Sequence, residues 1–508
     1  MKPSKLCMYN VKGIQKYIYA SSKLKEIVGA SELVAGSIIN NLKPAALKVV
    51  GDKGKVIFDI CKENQINDLQ FDHDNTVSVE LVYEGGGNVV VLYRDENQMN
   101  QINMMLSTVL AIKNRGMQLI VASTDKTDDY QKDMSELRQK MTAISENMPP
   151  VYEMNNLPVT MEDSATGEPL TRVAYTTING VNQYRRVSES SYQKLTAYSQ
   201  KKKKDATKGY LADEGRVAIV HADGNNMGIN IANALKGVKD YNKAVRLMRQ
   251  ISHNIDTNFK QAFDQAIADM NQKEPFVRKI ILSGDDSTYV IKADYAMEFT
   301  TKFIQHIEEH FMIDGVESSR LRACAGIVYV HSHFPFSEAY KMAEMLCESA
   351  KTKAKKSDRR KDGQVLSYVD FQICLNGATS DLERMREREY VNADGYSLLS
   401  RPYCISKDCR VENDSIDRFN QSFAVVSGKK EADEGKAIAR NKAKLLRDAY
   451  YESESYLKNT VNAVNSRLDR KYQLDTEYLF TEDHTAYYFD ALDLLDMLSE
   501  EATYDTEN

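Results

Sequence analysis

Tryptophan is absent from the 508 residues, and cysteine is sparse and unpatterned. The seven cysteines (Cys7, Cys61, Cys324, Cys347, Cys374, Cys404 and Cys409) are odd in number and scattered, which excludes a disulfide framework and predicts reduced thiols in a cytoplasm. Cys404 and Cys409 have no second pair to complete a zinc site. No apolar run reaches the roughly 18 residues of a membrane span. The start, Met1-Lys2-Pro3-Ser4-Lys5, has no signal-peptide core behind it. An excess of positive charge is also missing. The net charge is −6, so the bulk balance gives no reason to expect a general nucleic-acid-binding surface, although local basic patches could hold phosphates. What remains is an ordinary globular composition, 42% hydrophobic and 28% charged, long enough for several domains.

Two short signals stand out. The apolar run 217–222 ends in Asp223-Gly224-Asn225-Asn226-Met227-Gly228, a strand whose last residue is an acid, followed by a loop that opens a helix. The second signal, Lys279-Ile280-Ile281-Leu282-Ser283-Gly284-Asp285-Asp286-Ser287-Thr288-Tyr289-Val290-Ile291, reads as a β-hairpin with two adjacent acids at its tip. Three carboxylates on neighbouring strands suit a pair of Mg²⁺ or Mn²⁺ ions, which can clamp the attacking and leaving oxygens of a phosphoryl transfer. The helix after Asp223 points free N–H groups at the same place, which suits a triphosphate. An acid at a strand end, or Gly-Asp-Asp as a plain turn, explains either signal alone; their coincidence predicts a metal site.

A weak internal repeat organises the first 370 residues. Each copy has a strand, a helix and a later glycine-rich hairpin. Superposing the copies sets Asn10 on Asp223, and Gly87 and Asn88 on Asp285 and Asp286. The first copy therefore offers no metal carboxylates. The expected layout is a degenerate first copy at 1–147, a loop-rich connector at 148–215, a second, acid-bearing copy at 216–370, a helical domain at 371–498 and a disordered acidic tail at 499–508. The run Lys201-Lys202-Lys203-Lys204 falls in the connector and is expected in a mobile loop. The fold class is α/β (α+β), ending in C-terminal helices.

Four stretches carry a family resemblance. Gly13-Ile14-Gln15-Lys16-Tyr17-Ile18 with residues 23–33, the hairpin Gly85-Gly86-Gly87-Asn88, the two acidic motifs, and Ala323-Cys324-Ala325-Gly326-Ile327 with the lysine-bearing helix beyond it are similar to the large, polymerase-like subunit of type III CRISPR effector complexes and its stand-alone relatives. More distantly the chain resembles GGDEF diguanylate cyclases. The resemblance implies two ferredoxin-like palm domains packed face to face, degenerate at 1–147 and catalytic at 216–370, that join nucleoside triphosphates, often into cyclic oligoadenylates, in antiviral defence, with an effector protein responding to the product. It carries over to Asp223, Asp285 and Asp286 as metal ligands, with the Gly224 carbonyl as a fourth, and to Lys351 as a triphosphate contact. Ser283 stands where the family usually has glycine. The family's HD nuclease has only the echo His73-Asp74, and its zinc cysteines are missing between the palms, which favours a smaller stand-alone relative.

The nucleotide-binding expectation covers Gly224, Asn225, Asn226, Met227, Gly228, Ser283, Gly284 and Lys351, with Gly86, Gly87 and Asn88 nearest a second triphosphate. Each of these has a plainer reading: the lysines after 350 as a cationic helix cap, the asparagines as loop formers, the glycines as a turn. His306-Ile307-Glu308-Glu309-His310 fits a zinc-peptidase pattern but reads better as a helix face. Two other functions stay open, a catalytically silent scaffold in a ribonucleoprotein and a template-dependent polymerase. Nucleic-acid partners and a homodimer are also left open.

Overall fold

The computed structural model describes all residues except 1–3, 22, 63–64, 150–158, 164–166, 179–180, 205–214, 311–320, 357–364, 375–376, 378–380, 410–413, 428–437 and 500–508. The acidic tail therefore lies almost wholly outside the described residues. Within them, two sheets repeat one topology. The first runs in the order Lys55–Ile57, Val77–Gly85, Asn88–Tyr93, Lys5–Lys12, Gln118–Asp125. The second runs Val277–Ser283, Asp286–Lys292, Arg216–Gly224, Ala323–His331, Tyr368–Ile373, Tyr403–Cys404. In each, a hairpin is followed spatially by the first and then the last strand of a βαββαβ unit, and the leading strand pairs antiparallel on both sides. Both palms are ferredoxin-like. The second sheet continues past residue 370, because Tyr368–Ile373 joins Ala323–His331 in parallel.

The register confirms the superposition of the two copies. Tyr9 pairs with Val89, which sets Asn10 opposite Asn88, and Asn10 Nδ2 donates to Asn88 Oδ1 at 2.8 Å. In the second palm, Asp223 pairs with Asp286. The hairpins match as well: Gly85 pairs with Asn88 and Ser283 with Asp286, each across a two-residue turn.

A single 29-residue helix, Tyr241–Asp269, ties the palms together. At about 1.5 Å per residue it is on the order of 40 Å long. Asp240 caps its start by accepting from the Lys243 N–H, and its apolar positions recur at helical spacing. Ala244, Val245 and Met248 enter a core shared with one face of the first sheet, whereas Ile255, Phe259 and Phe263 enter the core of the second palm. The other palm reciprocates. Helix Leu24–Val34 lies along the Val277–Ser283 strand, and the Ser31 hydroxyl donates to the Ile280 carbonyl. Tyr19 of the first palm stacks on Tyr340 of the second, ring centroids 3.7 Å apart.

The C-terminal helices Ile416–Ser427, Arg440–Ala449, Glu454–Asn465 and Phe489–Ser499 add to the second palm's core through Phe419, Leu446, Leu457 and Leu492. The segment expected to be a loop-rich connector is more ordered than its polar composition suggested. It contains a hairpin, Arg172–Ile178 with Val181–Val187, and a helix, Glu189–Lys204, that packs on Leu24–Val34. The Asn-Gly between the two strands is a strong hairpin signal in the sequence, and the helix runs on to Lys204, which charge alone did not predict.

Arg249, on the long helix, is 1% exposed and pairs with Glu80, which is 0% exposed, at 3.1 Å. Its guanidinium also donates to the Val82, Asn67 and Leu81 carbonyls of the first palm. Replacing Arg249 with methionine strands a buried carboxylate, so we expect a loss of about 3–5 kcal/mol in urea unfolding. Adding Glu80→Gln should recover a substantial part of that loss.

Candidate active site

Asp223 ends the Arg216–Gly224 strand, and Asp285 and Asp286 sit at the adjoining hairpin turn, so the ladder brings the three predicted acids to one edge of the sheet. The Gly224 N–H donates to the Asp285 carbonyl at 3.2 Å, and a Cβ on Gly224 would lie 2.9 Å from both Asp285 Cβ and Met227 Cγ. Only glycine allows that approach. Asn226 adopts the left-handed conformation (φ 56°) and turns the chain into helix Met227–Leu235, whose first N–H groups receive no side-chain cap. Asn225, one of the expected nucleotide-binding residues, is tied to its surroundings. Its N–H donates to the Arg322 carbonyl and its amide to the Leu366 carbonyl, so it anchors the loop from behind.

Lys351 lies on helix Phe336–Lys356 and places its ammonium on Asp223 Oδ2. The close approach depends on Gly326 in the neighbouring strand, where a Cβ would stand 2.1 Å from the Ala343 carbonyl oxygen. A pocket beside the acids is lined by Asn225, Asn226, Glu348, Lys351, Lys355 and Val365. The first palm's hairpin meets the second's here as well: a Cβ on Gly284 would be 3.7 Å from the Gly86 backbone nitrogen. Gly86, Gly87 and Asn88 are thus brought beside the acidic turn, although Asn88 is already bonded to Asn10.

The electrostatics are unbalanced. Burial and the Asp223 charge push Asp285 up to about 6; burial, then Asp223, Asp285 and Glu344, push Asp286 up to about 7. Burial works against the Lys351 ammonium, but the adjacent Asp223 outweighs it and raises its pKa. One ammonium cannot neutralise three carboxylates. His221 Nδ1 lies 3.5 Å from Asp286 Oδ1, too far for a good hydrogen bond, and burial pushes its pKa down to about 4, so it is neutral. Asp286 Oδ1 is shielded from solvent without a hydrogen-bond partner. Among the described residues, no group of three His, Cys, Asp or Glu side chains is already arranged as a metal cage. An orphaned carboxylate oxygen among mutually repelling acids nevertheless suits a hard divalent cation, which prefers few carboxylates plus water and phosphate.

Two residues that sequence reasoning missed belong to this site. Glu344, two turns before Lys351, adds a fourth acid whose pKa burial raises. His221 reaches it because side chains two apart on a strand share a face. Helix periodicity through Lys351 could have found the first. The zinc-peptidase pattern dissolves: His306 pairs with Asp269 at 2.6 Å, and Glu308 is buried against Arg322 at 2.6 Å.

Residues 216–360 match the family model of the Cas10/Cmr2 second palm domain. The resemblance read from the motifs holds over that segment, which contains every acid of the site. The fold extends the likeness further. Crystal structures of the Csm1–Csm4 cassette, one in complex with cA3 and one with one ATP, each match at a TM-score of 0.54, with 12% and 13% identity, over 98% of this chain and 70% of theirs. The Csm1–Csm4 subcomplex of the type III-A CRISPR-Csm interference complex matches at 0.51 with 12% identity and the same coverage. A search of curated proteins finds no match. No helix among the described residues is long and apolar enough to cross a membrane.

The raised acids fix a pH signature. A carboxyl whose folded pKa lies above its unfolded value stabilises the fold at low pH and loses that contribution as pH rises through the folded value. The metal-free chain should therefore forfeit stability between about pH 4 and 7 through Asp285 and Asp286. Added Mg²⁺ or Mn²⁺ should raise the melting temperature more at pH 8 than at pH 5.5. Asp286→Asn should raise the metal-free melting temperature at pH 8 and shrink the metal-induced shift; an undiminished shift would remove Asp286 from the site.

Proposed function

We propose that the chain is a metal-dependent nucleotidyltransferase that joins nucleoside triphosphates, ATP foremost, into a cyclic or short linear oligonucleotide signal. The observation that carries this reading is the convergence of Asp223, Asp285 and Asp286 at one sheet edge with too little positive charge to balance them. The Csm1–Csm4 cassettes that share the fold were crystallised with AMPPNP, pppApA, cA3 and cA4, which supports adenine nucleotides as the substrate class.

Asp223, Asp285 and Asp286, with the Gly224 carbonyl, would hold two Mg²⁺ or Mn²⁺ ions, which supply charge stabilisation for the attacking and leaving oxygens. The uncapped start of helix Met227–Leu235 offers N–H groups to the donor triphosphate. Lys351 would exchange its contact with Asp223 for the β- and γ-phosphates. The acceptor enters from the first palm's side, where Gly86 and Gly87 leave backbone uncovered by side chains. Its 3′-hydroxyl oxygen forms a bond to the α-phosphorus, the bond from that phosphorus to the bridging oxygen breaks, pyrophosphate leaves, and the hydroxyl proton passes to solvent. Positioning and preorganised charge supply most of the rate in such transfers. The neutral Asn10–Asn88 pair leaves the first palm without metal chemistry.

Asp285→Ala with Asp286→Ala should abolish joining of each NTP, assayed with Mg²⁺ or Mn²⁺ and mass spectrometry of products, while circular dichroism stays unchanged. Near wild-type turnover would refute the site assignment. Lys351→Ala should raise the apparent KM for triphosphate, because it removes a contact made before and during reaction. A variant that lowers kcat with KM unchanged would place Lys351 elsewhere.

A further inference from the structure

The two turns that meet at the site are both fastened to one helix. In Tyr241–Asp269, Ser252 and Asp256 lie four residues apart and so share a face. The Ser252 hydroxyl donates to the Glu84 carbonyl, where the first palm's strand enters its glycine turn. Asp256 Oδ1 accepts from the Gly284 N–H at 3.3 Å, inside the turn that carries Asp285 and Asp286. Successive turns of a single helix thus hold the acid-bearing turn and the turn on the acceptor's side.

Glycine lets both contacts form. A Cβ on Gly85 would stand 2.2 Å from Ser252 Oγ, and Gly284 takes the left-handed conformation (φ 61°) that few other residues adopt. Other side chains seat the helix: Ile251, Ile255 and Phe259 are buried in the second palm's core, whereas Ser252 and Asp256 are partly exposed. Asp256 also pairs with Lys260 across one helical turn, and a surface pair of this kind contributes little to stability. Two side chains with a minor share in folding, each bonded to the backbone of a different turn of the site, are placed to align those turns.

We propose that Ser252 and Asp256 are positioning residues for the joining reaction. Together they set the spacing between the acid-bearing turn and the first palm's glycine turn, and so between the donor's α-phosphorus and the acceptor's hydroxyl. This rests on the nucleotidyltransferase reading of the site. Both residues act through backbone groups and touch neither nucleotide. A misplacement of about 1 Å between reacting groups costs on the order of a hundredfold in rate.

Two measurements on the full chain test this. The first needs no turnover. Amide hydrogen exchange over residues 281–287, read by mass spectrometry in EDTA, should quicken in Asp256→Ala and stay near wild type in Asp256→Asn, which keeps an acceptor oxygen for the Gly284 N–H. The second is steady-state joining of ATP with Mg²⁺. Ser252→Ala with Asp256→Ala should lower kcat about ten- to a hundredfold with KM little changed, and Asp256→Asn alone should keep most of kcat. Both variants should melt within a few degrees of wild type and keep the metal-induced rise in melting temperature. Unchanged exchange in Asp256→Ala overturns the tie, whatever the activity. With the wild type active, an undiminished kcat in the double alanine variant overturns the positioning role, and so does an Asp256→Asn variant as slow as Asp256→Ala. If the wild-type chain joins no triphosphate, the proposed function fails and the positioning role falls with it; the exchange result tells that failure apart from a missing tie.

Discussion

Asp223 and Asp286 stand directly opposite one another across an antiparallel ladder. Like charges in that position destabilise a sheet, and Asp285 beside them makes the conflict worse. The fold keeps them there. Apolar strands on both sides fix the register, since a one-residue slip would turn Val217, Ile219 and Val290 out of one core and Ala218, Val220 and Tyr289 out of another. The surrounding features follow from this constraint. Gly224 lets the turn close on Asp285, and Gly326 lets a lysine-bearing helix come near enough to meet Asp223. A local violation of polar satisfaction, upheld by the rest of the structure, is where function is expected to reside.

The first palm shows what the same ladder looks like when the conflict is absent. Asn10 and Asn88 occupy the equivalent positions and satisfy each other with one hydrogen bond. The duplicate keeps the topology and drops the charge. Its contribution is mechanical and spatial. The two palms exchange helices, one from each lying along the other's hairpin strand, and Arg249 fastens its helix to four groups of the first palm. That exchange sets the two glycine-containing turns together, and any cleft between them inherits a donor side with acids and a neutral side with bare backbone.

Much of this was legible in the residues because it is local. Asp223-Gly224-Asn225-Asn226 and Ser283-Gly284-Asp285-Asp286 each report a strand end and a turn, and the superposition of Asn10 on Asp223 and Asn88 on Asp286 is the one the ladder adopts. What escaped was set by contacts distant in sequence. Nothing in the run around Arg249 announces that it will be buried against Glu80, 169 residues away. Glu344 reads as an ordinary helix-surface acid until its helix is laid beside the Asp223 strand. Asn225 adjoins the acid in sequence, but its ties to the Arg322 and Leu366 carbonyls show only in the fold. The region 148–215 was misjudged for a different reason: polar composition outweighed an Asn-Gly turn between two strands.

The salt contact between Lys351 and Asp223 determines how the site can change state. Lys351 is the positive charge that contacts the acids, and the attraction holds it against Asp223. On the proposed function, a bound cation would remove that attraction and repel the ammonium. The lysine would then be free to meet a triphosphate in the adjoining pocket of Asn225, Asn226, Glu348, Lys351 and Lys355. If the proposed function holds, metal and nucleotide would enter as a coupled pair, each lowering the cost of the other, and a lysine too short or too long at position 351 would weaken that coupling even where the three aspartates are untouched.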